Sequence, residues 1–349
     1  MSQIRRNKKL KSISQSRHTN YGLQILKMIL CMWVVYIHTC KESNRLLLHV
    51  FFYRKFHVPG FIIISFYFLF SIISKRDMDK AKQRFIRLLI PYFIIPIFIW
   101  LFNNISYKFI NYSIYGRILR FKDLINQFII GYIFHLIFWF HFVLLFLTLL
   151  YFIIGFIFKN KFLIIIQLFG LIAYIIQYSG YNFKIFNKYK LVVSIPLGNI
   201  LELGPSSAIG FSFGANNLII LLEKIRLKTI CVCGIFLYLL FIYDIFKEVK
   251  GFFYPGISNT LGGMLLFITF SLFPFDKLKN KFIISIIKFF SNYTGGIYNF
   301  HLLIRNAFRI NIIKQRKFQG SLMIYIICYI ICFVGQKIFV KTRLKYIFI

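Results

Sequence analysis

Acidic residues are scarce in this chain: nine Asp and Glu stand against 44 Lys and Arg, which gives a formal charge of +35. A basic excess of this size is one mark of nucleic-acid binding. Here, however, the basic residues lie mainly in short stretches between long apolar runs, where they set membrane topology and contact anionic lipid headgroups. We therefore expect membrane lipids as partners and no nucleic acid.

Cysteine is also sparse, and its six positions show no spacing typical of a zinc site or a disulfide framework. The pair Cys231-x-Cys233 has no second pair to complete a metal site, and most of the cysteines lie inside apolar runs. Neither a GxxxxGK(S/T) phosphate loop nor an HExxH zinc motif occurs. We predict no metal site and expect the cysteines to be small residues that face the membrane.

Apolar sequence, by contrast, is abundant: 59% of the residues are hydrophobic, 20% are aromatic, and the mean hydropathy is +0.72. A soluble domain could not bury this much apolar surface, whereas helices satisfy their own backbone hydrogen bonds in lipid. Apolar runs of about 20 residues therefore predict an all-α polytopic membrane protein, with about ten transmembrane helices in one bundle. The predicted spans are 21–40, 57–74, 88–105, 136–158, 162–178, 198–222, 229–246, 252–273, 282–304 and 321–340. The sixth is interrupted by Gly204-Pro205-Ser206-Ser207, where the helix could break.

The chain divides into one membrane domain with short basic ends. Residues 1–20 form the N-terminal segment, 21–340 the transmembrane domain and 341–349 the C-terminal tail. The first apolar stretch is too long for a signal peptide and lacks a clear cleavage site, so we interpret it as a retained helix. The basic bias is strongest in the early segments and predicts a cytoplasmic N-terminus, although the basic 305–320 loop opposes this orientation.

The first apolar run carries two polar side chains, Lys27 and His38, eleven residues apart. In a helix, eleven residues turn about 1100°, which places both side chains on nearly the same face and about 16 Å apart along the axis. A cation at that depth is costly against lipid, so this face is expected to point into protein or a wet cavity. The alternative is a lysine that reaches the membrane surface and a histidine at the boundary.

Arg84 and Arg87 precede the third apolar run at i, i+3 spacing and therefore share one helix face. Paired guanidinium groups suit the geometry of phosphate and pyrophosphate. The same residues could instead anchor the helix on the cytoplasmic side of the membrane. The sequence alone leaves both interpretations open.

Three further residues stand out inside apolar runs. Trp139 is either an interfacial aromatic anchor or part of a site. Glu202 is the only acid well inside its apolar stretch, where ionisable residues are functional candidates unless nearby Gly and Pro place the acid at a helix break in water. His301 lies four residues before Arg305, and both side chains share a helix face.

In this order, these pieces resemble the membrane acyltransferase-3 family over about residues 20–340. The helix with Lys27 and His38 is similar to the family's Arg-x10-His helix. The other similarities are Val58-Pro59…Ile64-Ser65-Phe66-Tyr67 to V-P-x-F…I-S-G-Y, Arg84-x2-Arg87-x3-Pro91-Tyr92 to R-x2-R-x3-P-Y, Thr294-Gly295-Gly296-Ile297-Tyr298-x2-His301 to S-L-G-I-Y-x2-H, and Phe138-Trp139-Phe140 to L-W-F-L. Each pattern is short, and the ordered set carries the resemblance.

The resemblance implies a ten-helix enzyme of the cell membrane that O-acylates surface polysaccharides or lipid-linked glycans. The donor would be an acyl-CoA co-substrate, with acetyl-CoA expected and no permanently bound cofactor, and the acceptor would be a glycan or lipid-linked sugar. The resemblance assigns catalysis to His38 and Lys27. The remaining predicted site residues are Arg84 and Arg87 for donor binding and Tyr67, Trp139, Glu202 and His301 for substrate binding.

These residue types suit acyl transfer, because a neutral histidine can take a hydroxyl proton near pH 7 and a cation can stabilise negative charge. Two positions depart from the family pattern: Lys27 replaces an Arg and cannot form its bidentate fork, and Phe66 replaces a Gly. Two other function classes stay open. One is a transporter or flippase for a glycan precursor, since buried charges and broken helices also serve transport. The other is a non-catalytic subunit of a polysaccharide export system.

Overall fold

The computed structural model describes the chain in nine stretches, and within them it is helical with short turns and contains no strand. These stretches are 20–39, 56–110, 117–130, 138–178, 194–215, 218–246, 257–273, 280–307 and 318–349. The predicted all-α class is thereby confirmed for the described residues. Nearly all of the predicted N-terminal segment, residues 1–20, lies outside them.

Thirteen α-helices occur in the described residues, together with two short 3-10 turns at Lys159–Lys161 and Arg343–Ile347. The helices are α1 Tyr21–Thr39, α2 His57–Ser74, α3 Met78–Ile110, α4 Phe121–Ile130, α5 Phe138–Ile157, α6 Phe162–Tyr178, α7 Ser194–Ala215, α8 Leu218–Glu223, α9 Arg226–Phe246, α10 Ile257–Leu272, α11 Lys281–Asn292, α12 Thr294–Ala307 and α13 Phe318–Ile338.

Five of these helices are long and apolar enough to cross a membrane: α1, α2, α3, α5 and α13. Helices α6 and α10 contain shorter apolar stretches. The chain is therefore a multi-pass helical membrane protein. The predicted count of about ten spans is not confirmed, because only these five helices of the described chain meet both conditions.

Two predicted spans differ from the helices observed. The sixth was left open to a break at Gly204-Pro205, and α7 instead continues through this proline from Ser194 to Ala215. The ninth, predicted as one span, is two helices, α11 and α12, on either side of Tyr293. The turn at Tyr293 matters for the site described below, because it starts α12 at Thr294.

Helix α7 packs closely against α2 and also contacts α5, α6 and α10. The close approach to α2 depends on Gly210 and Gly214, where a Cβ atom would clash with the backbone of Ile63 and Tyr67. Nearby, Phe66 is fully buried and packs edge-on against Tyr151 at 4.8 Å between ring centroids. The side chain that replaces the family's glycine thus fills space between α2 and α5.

Helix α1 contacts α2, α10, α11, α12 and α13 and is therefore surrounded by protein. Cys31 on α1 is fully buried, as are Cys328 and Cys332 on α13. The expectation that the cysteines face the membrane is wrong for these three, because they occupy the interface of α1, α12 and α13. Cys233 is also buried, whereas Cys231 is exposed.

The C-terminal residues 343–349, here called the C-terminal segment, pack against α3, α12 and α13. The Nδ2 of Asn299 on α12 donates a hydrogen bond to the carbonyl of Ile347 at 3.0 Å. Gly295 and Gly296 leave room for the backbone of Ile349 and Phe348, since a Cβ on either glycine would clash with it. The two glycines of the sequence pattern thus admit this segment to the bundle.

Candidate active site

A cavity of about 290 Å³ lies where α1, α2, α3, α5, α12 and the C-terminal segment meet. Its volume is close to the lower end of the range for small-molecule sites. Aromatic and aliphatic side chains form much of the wall. The polar residues among its lining are Lys27, Ser65, Arg87, His141, Thr294, Tyr298, Asn299 and Tyr346. The cavity therefore brings residues of all five sequence patterns together in one place.

Lys27 enters the cavity from the middle of α1 and is half-buried. One turn further on, the Sγ of Cys31 donates to the carbonyl of Thr294 at 3.4 Å, which ties α1 to the start of α12. Among the described residues, no hydrogen bond or ion pair holds the ammonium group of Lys27. A cation in a membrane bundle without a partner acid is suited to hold an anionic ligand.

Arg84 and Arg87 reach the same region from α3, whose helix begins well before the predicted third span. The Nη2 of Arg84 donates to the Oγ of Ser65 at 2.7 Å, and its buried Nε has no partner among the described residues. The guanidinium carbon of Arg87 lies 5.4 Å from the ring centroid of Tyr346, within reach of a cation–π contact. Arg87 therefore lines the cavity itself, and Arg84 supports its wall through Ser65.

No Asp or Glu side chain is among the described residues that line this cavity. The ion pairs found in the described stretches are Asp77–Lys80, Arg117–Asp123 and Glu223–Arg226, and all lie away from the cavity. Lys27 and Arg87 thus present two positive charges to one partly open cavity. Such a space favours phosphate or carboxylate groups.

His38 does not line this cavity but lies beside His301, with 5.3 Å between the ring centroids. The Nδ1 of His301 is 2.8 Å from the carbonyl oxygen of Tyr298. Because a carbonyl only accepts, this contact places the proton of a neutral ring on Nδ1 and makes Nε2 its acceptor. The Nη1 of Arg305 donates to the backbone carbonyl of His38 at 2.8 Å, so α12 also fixes the end of α1.

Tyr298 connects the histidine pair to the cavity. Its ring lies 5.8 Å from His301 and also forms part of the cavity wall. On its other side, the ring lies 5.6 Å from that of His141 on α5. The predicted members Lys27, Arg84, Arg87, His38 and His301 therefore lie in or next to one connected region.

Besides Arg84, His38 and His301, three more predicted site residues lie outside the cavity lining. Tyr67 packs against Phe267 at 5.2 Å, Trp139 packs edge-on against Phe140 at 6.2 Å, and Glu202 is half-buried on α7. Their part in substrate binding stays a prediction.

Sequence reasoning did not select several cavity residues. Ser65, Thr294 and Tyr298 lie inside the quoted patterns and could have been chosen from them. His141 was hidden among aromatic residues that are typical of an interfacial belt. Tyr346 carried no signal, because its position against Arg87 depends on how the C-terminal segment folds back.

One further pattern, Gly210-Phe211-Ser212-Phe213-Gly214, reads G-x-S-x-G. In hydrolases that pattern places its serine on a sharp strand-to-helix turn. Here it lies inside the continuous helix α7, and the Oγ of Ser212 accepts a hydrogen bond from the Nε2 of Gln167 at 3.1 Å. The local structure therefore does not expose Ser212 as a nucleophile.

Comparison with known proteins identifies the family of this chain. The family model described as an acyltransferase domain, that of the acyltransferase-3 family, matches residues 20–336. No curated protein and no solved structure matches the chain. The match spans α1 to α13 and includes every cavity residue except those of the C-terminal segment. A polytopic helical chain with this match belongs to the acyltransferase-3 family and is a membrane acyltransferase.

Proposed function

We propose that the protein transfers an acyl group, expected to be acetyl, from acyl-CoA to a hydroxyl of a cell-surface or lipid-linked glycan. The observation that carries this proposal is the cavity between α1, α3 and α12, which Lys27 and Arg87 line together and which no Asp or Glu side chain of the described residues lines. Coenzyme A carries several phosphate charges and needs such a site.

The donor would bind with its phosphates near Lys27, Arg84 and Arg87. Arg guanidinium groups form charge-assisted and bidentate hydrogen bonds to phosphate oxygens, and Lys supplies a compact charge. Arg84 is already oriented by its hydrogen bond to Ser65, so a smaller part of its side-chain entropy is lost on binding. The aromatic wall of Phe61, Phe140 and Tyr298 would pack against the less polar part of the donor.

His38 would act as the general base on the acceptor hydroxyl. The hydroxyl oxygen attacks the thioester carbonyl carbon, the new C–O bond forms as the C–S bond breaks, and His38 passes the proton to the leaving thiolate. Since His38 and Lys27 lie about 16 Å apart along one helix, they cannot act on the same atom. The donor would instead extend from Lys27 past Tyr298 toward His38 and His301.

The protein would act in the cell membrane with a cytoplasmic N-terminus. This orientation puts Arg84, Arg87 and Lys27 toward the cytoplasmic side, where acyl-CoA is made, and His38 toward the outer side. The early basic bias of the sequence supports it.

A transfer assay on the purified full-length protein in lipid nanodiscs tests this function. Radiolabelled acetyl-CoA is supplied with glycan fractions from the cell surface, and label in the glycan is measured by chromatography and mass spectrometry. Label transfer that depends on the protein supports the proposal. Glycan movement across the membrane without any labelling would contradict it and would favour a transporter.

A further inference from the structure

His141 occupies a position in the cavity wall that the proposed catalysis does not use. It lies in the first turn of α5, three residues after Phe138, and only 8% of its surface is exposed. Its ring nevertheless lines the space that Lys27 and Arg87 face. It is therefore a buried titratable side chain directed into a built cavity.

The imidazole of His141 is held by ring contacts alone. It stacks on Phe138 at 5.3 Å with an interplanar angle of 25°, and it lies edge-on to Phe140 at 6.2 Å and tilted to Tyr298 at 5.6 Å. These contacts fix the plane of the ring without using either nitrogen. No hydrogen bond joins the ring to any residue in the described stretches, and Nδ1 is fully buried without a partner there.

A buried nitrogen without a hydrogen bond destabilises the empty protein, and such an atom in a native structure requires a reason. An apolar side chain of similar size would fill this place without that cost. Nδ1 is closed off from the cavity, but Nε2 is not among the buried unpaired atoms, so it is the ring nitrogen that a ligand in the cavity can reach. A ligand contact to Nε2 would be a reason for an imidazole at this position. A neutral imidazole both donates and accepts, so it suits carbonyl and amide groups, while the two cations suit phosphates.

We propose that His141 contacts the acyl donor directly and hydrogen-bonds its amide or thioester portion while Lys27 and Arg87 hold its phosphates. This inference rests on the proposed function, since it takes acyl-CoA as the occupant of the cavity. It adds a donor-binding residue on α5 to the cations on α1 and α3. The stacked ring is pre-organised for this contact, which lowers the entropic cost of binding.

The test compares His141→Leu with Thr148→Val in the full-length protein in nanodiscs. Thr148 is the matched control, because it lies on α5, is fully buried, has an Oγ1 without a partner in the described residues, and does not line the cavity. Each variant is measured for its unfolding temperature when empty, for the rise of that temperature with acetyl-CoA, and for acetyl transfer.

We expect both variants to unfold at or above the wild-type temperature when empty, because each removes an unpaired buried polar atom. His141→Leu should lose most of the stabilisation by acetyl-CoA and reduce transfer about tenfold or more. Thr148→Val should keep both. If the empty His141→Leu variant keeps its unfolding temperature while acetyl-CoA no longer raises it, His141 contacts the ligand and does not merely pack the core.

Wild-type transfer and wild-type stabilisation by acetyl-CoA in His141→Leu would overturn the proposal and make His141 a core residue. A clear fall in the unfolding temperature of the empty variant would also overturn it, since the ring would then stabilise the protein itself. A different outcome is that the wild-type protein itself shows neither transfer nor a response to acetyl-CoA. That result contradicts the proposed function and removes acyl-CoA as the partner of His141.

Discussion

His38 is the residue on which the proposed chemistry depends most. It is half-buried, sits at the end of α1, and is fixed through its own carbonyl by Arg305 and through its ring by His301. Neither contact forces a charge onto the imidazole. A neutral histidine positioned in this way can accept a proton from an attacking hydroxyl.

We predict that His38→Ala lowers kcat by about 10² to 10⁴, as expected for the loss of a general base. His38→Gln should fail nearly as badly, because an amide can hydrogen-bond but cannot carry the proton. The measurement is acetyl transfer per folded protein, with membrane insertion checked by resistance to alkaline extraction and folding checked by gel filtration. Near-normal transfer by His38→Ala would refute the assigned role.

A second prediction concerns the charge at position 27. Lys27→Met should raise the apparent KM for the donor by roughly 10-fold to 100-fold, because one charge-assisted contact to phosphate is lost. Lys27→Arg keeps the charge, carries the family's residue, and should retain most of the activity. Donor titrations of both variants check this. If the two variants behaved alike, the charge would not be what matters.

Many single residues of the candidate site could be selected from the sequence, because charged and titratable residues inside apolar runs are rare and conspicuous. The spacing of Lys27 and His38 and that of Arg84 and Arg87 placed these residues on shared faces. His141 escaped because a histidine among Phe and Trp is also typical of a membrane interface. Its value as a candidate depends on the ring contacts of Phe138 and Tyr298, which lie on different helices.

Among the helices, α3 contains both arginines, because this membrane helix begins before its apolar run. We predict that Arg87→Ala and Arg84→Ala each raise the donor KM by about tenfold, corresponding to roughly 1.4 kcal/mol. Lys82→Ala is the matched control, because Lys82 is an exposed cation on the same helix and does not line the cavity. An equal effect of all three substitutions on donor KM would mean that α3 contributes only general positive charge.

The contact between α12 and the C-terminal segment allows a test with two glycines. In Gly296→Ala the new Cβ would meet the backbone of Phe348 and the Sγ of Cys332, so the C-terminal segment must shift. We predict faster tryptic cleavage at Arg343 and Lys345 and lower transfer. Gly234→Ala in α9 meets open space and should gain up to about 1 kcal/mol of helix propensity.

Digestion followed by mass spectrometry reads out the first effect, and thermal unfolding reads out the second. Unchanged cleavage and transfer in Gly296→Ala would show that the segment tolerates displacement at this point.

The helices themselves were predictable where hydropathy is continuous. Helices α1, α2 and α5 follow their predicted spans closely, because each is a single apolar run with clear polar ends. The sixth span was harder to predict, because Pro205 is accommodated inside α7. Its neighbours Ser206 and Ser207 are buried, and Ser207 is hydrogen-bonded to the carbonyl of Gly204 and to the hydroxyl of Tyr151. Helix ends that depend on such internal contacts leave little trace in a pattern of apolar residues.

For the whole molecule, orientation in the membrane is the property with the largest consequence for mechanism. We predict that a reporter at residue 1 faces the cytoplasm, and ten spans would place residue 349 on the same side. Accessibility labelling at both ends in intact cells measures this. Reporters on opposite sides would require an odd number of spans, and an external N-terminus would place the cationic cavity away from cytoplasmic acyl-CoA.

The C-terminal segment forms part of the cavity wall, and because it is synthesised last, the cavity can be completed only at the end of synthesis. Lys27 is made early and the residues that close its cavity, Tyr346 and Ile349, are made more than 300 positions later. A nascent chain must therefore hold its apolar helices in the bilayer while the cavity is still open on one side. A chain interrupted at residue 336, where the family match ends, would keep every helix that is long enough to span the membrane. It would be scored as inserted by any assay of membrane integration, yet Arg87 would lack its aromatic partner.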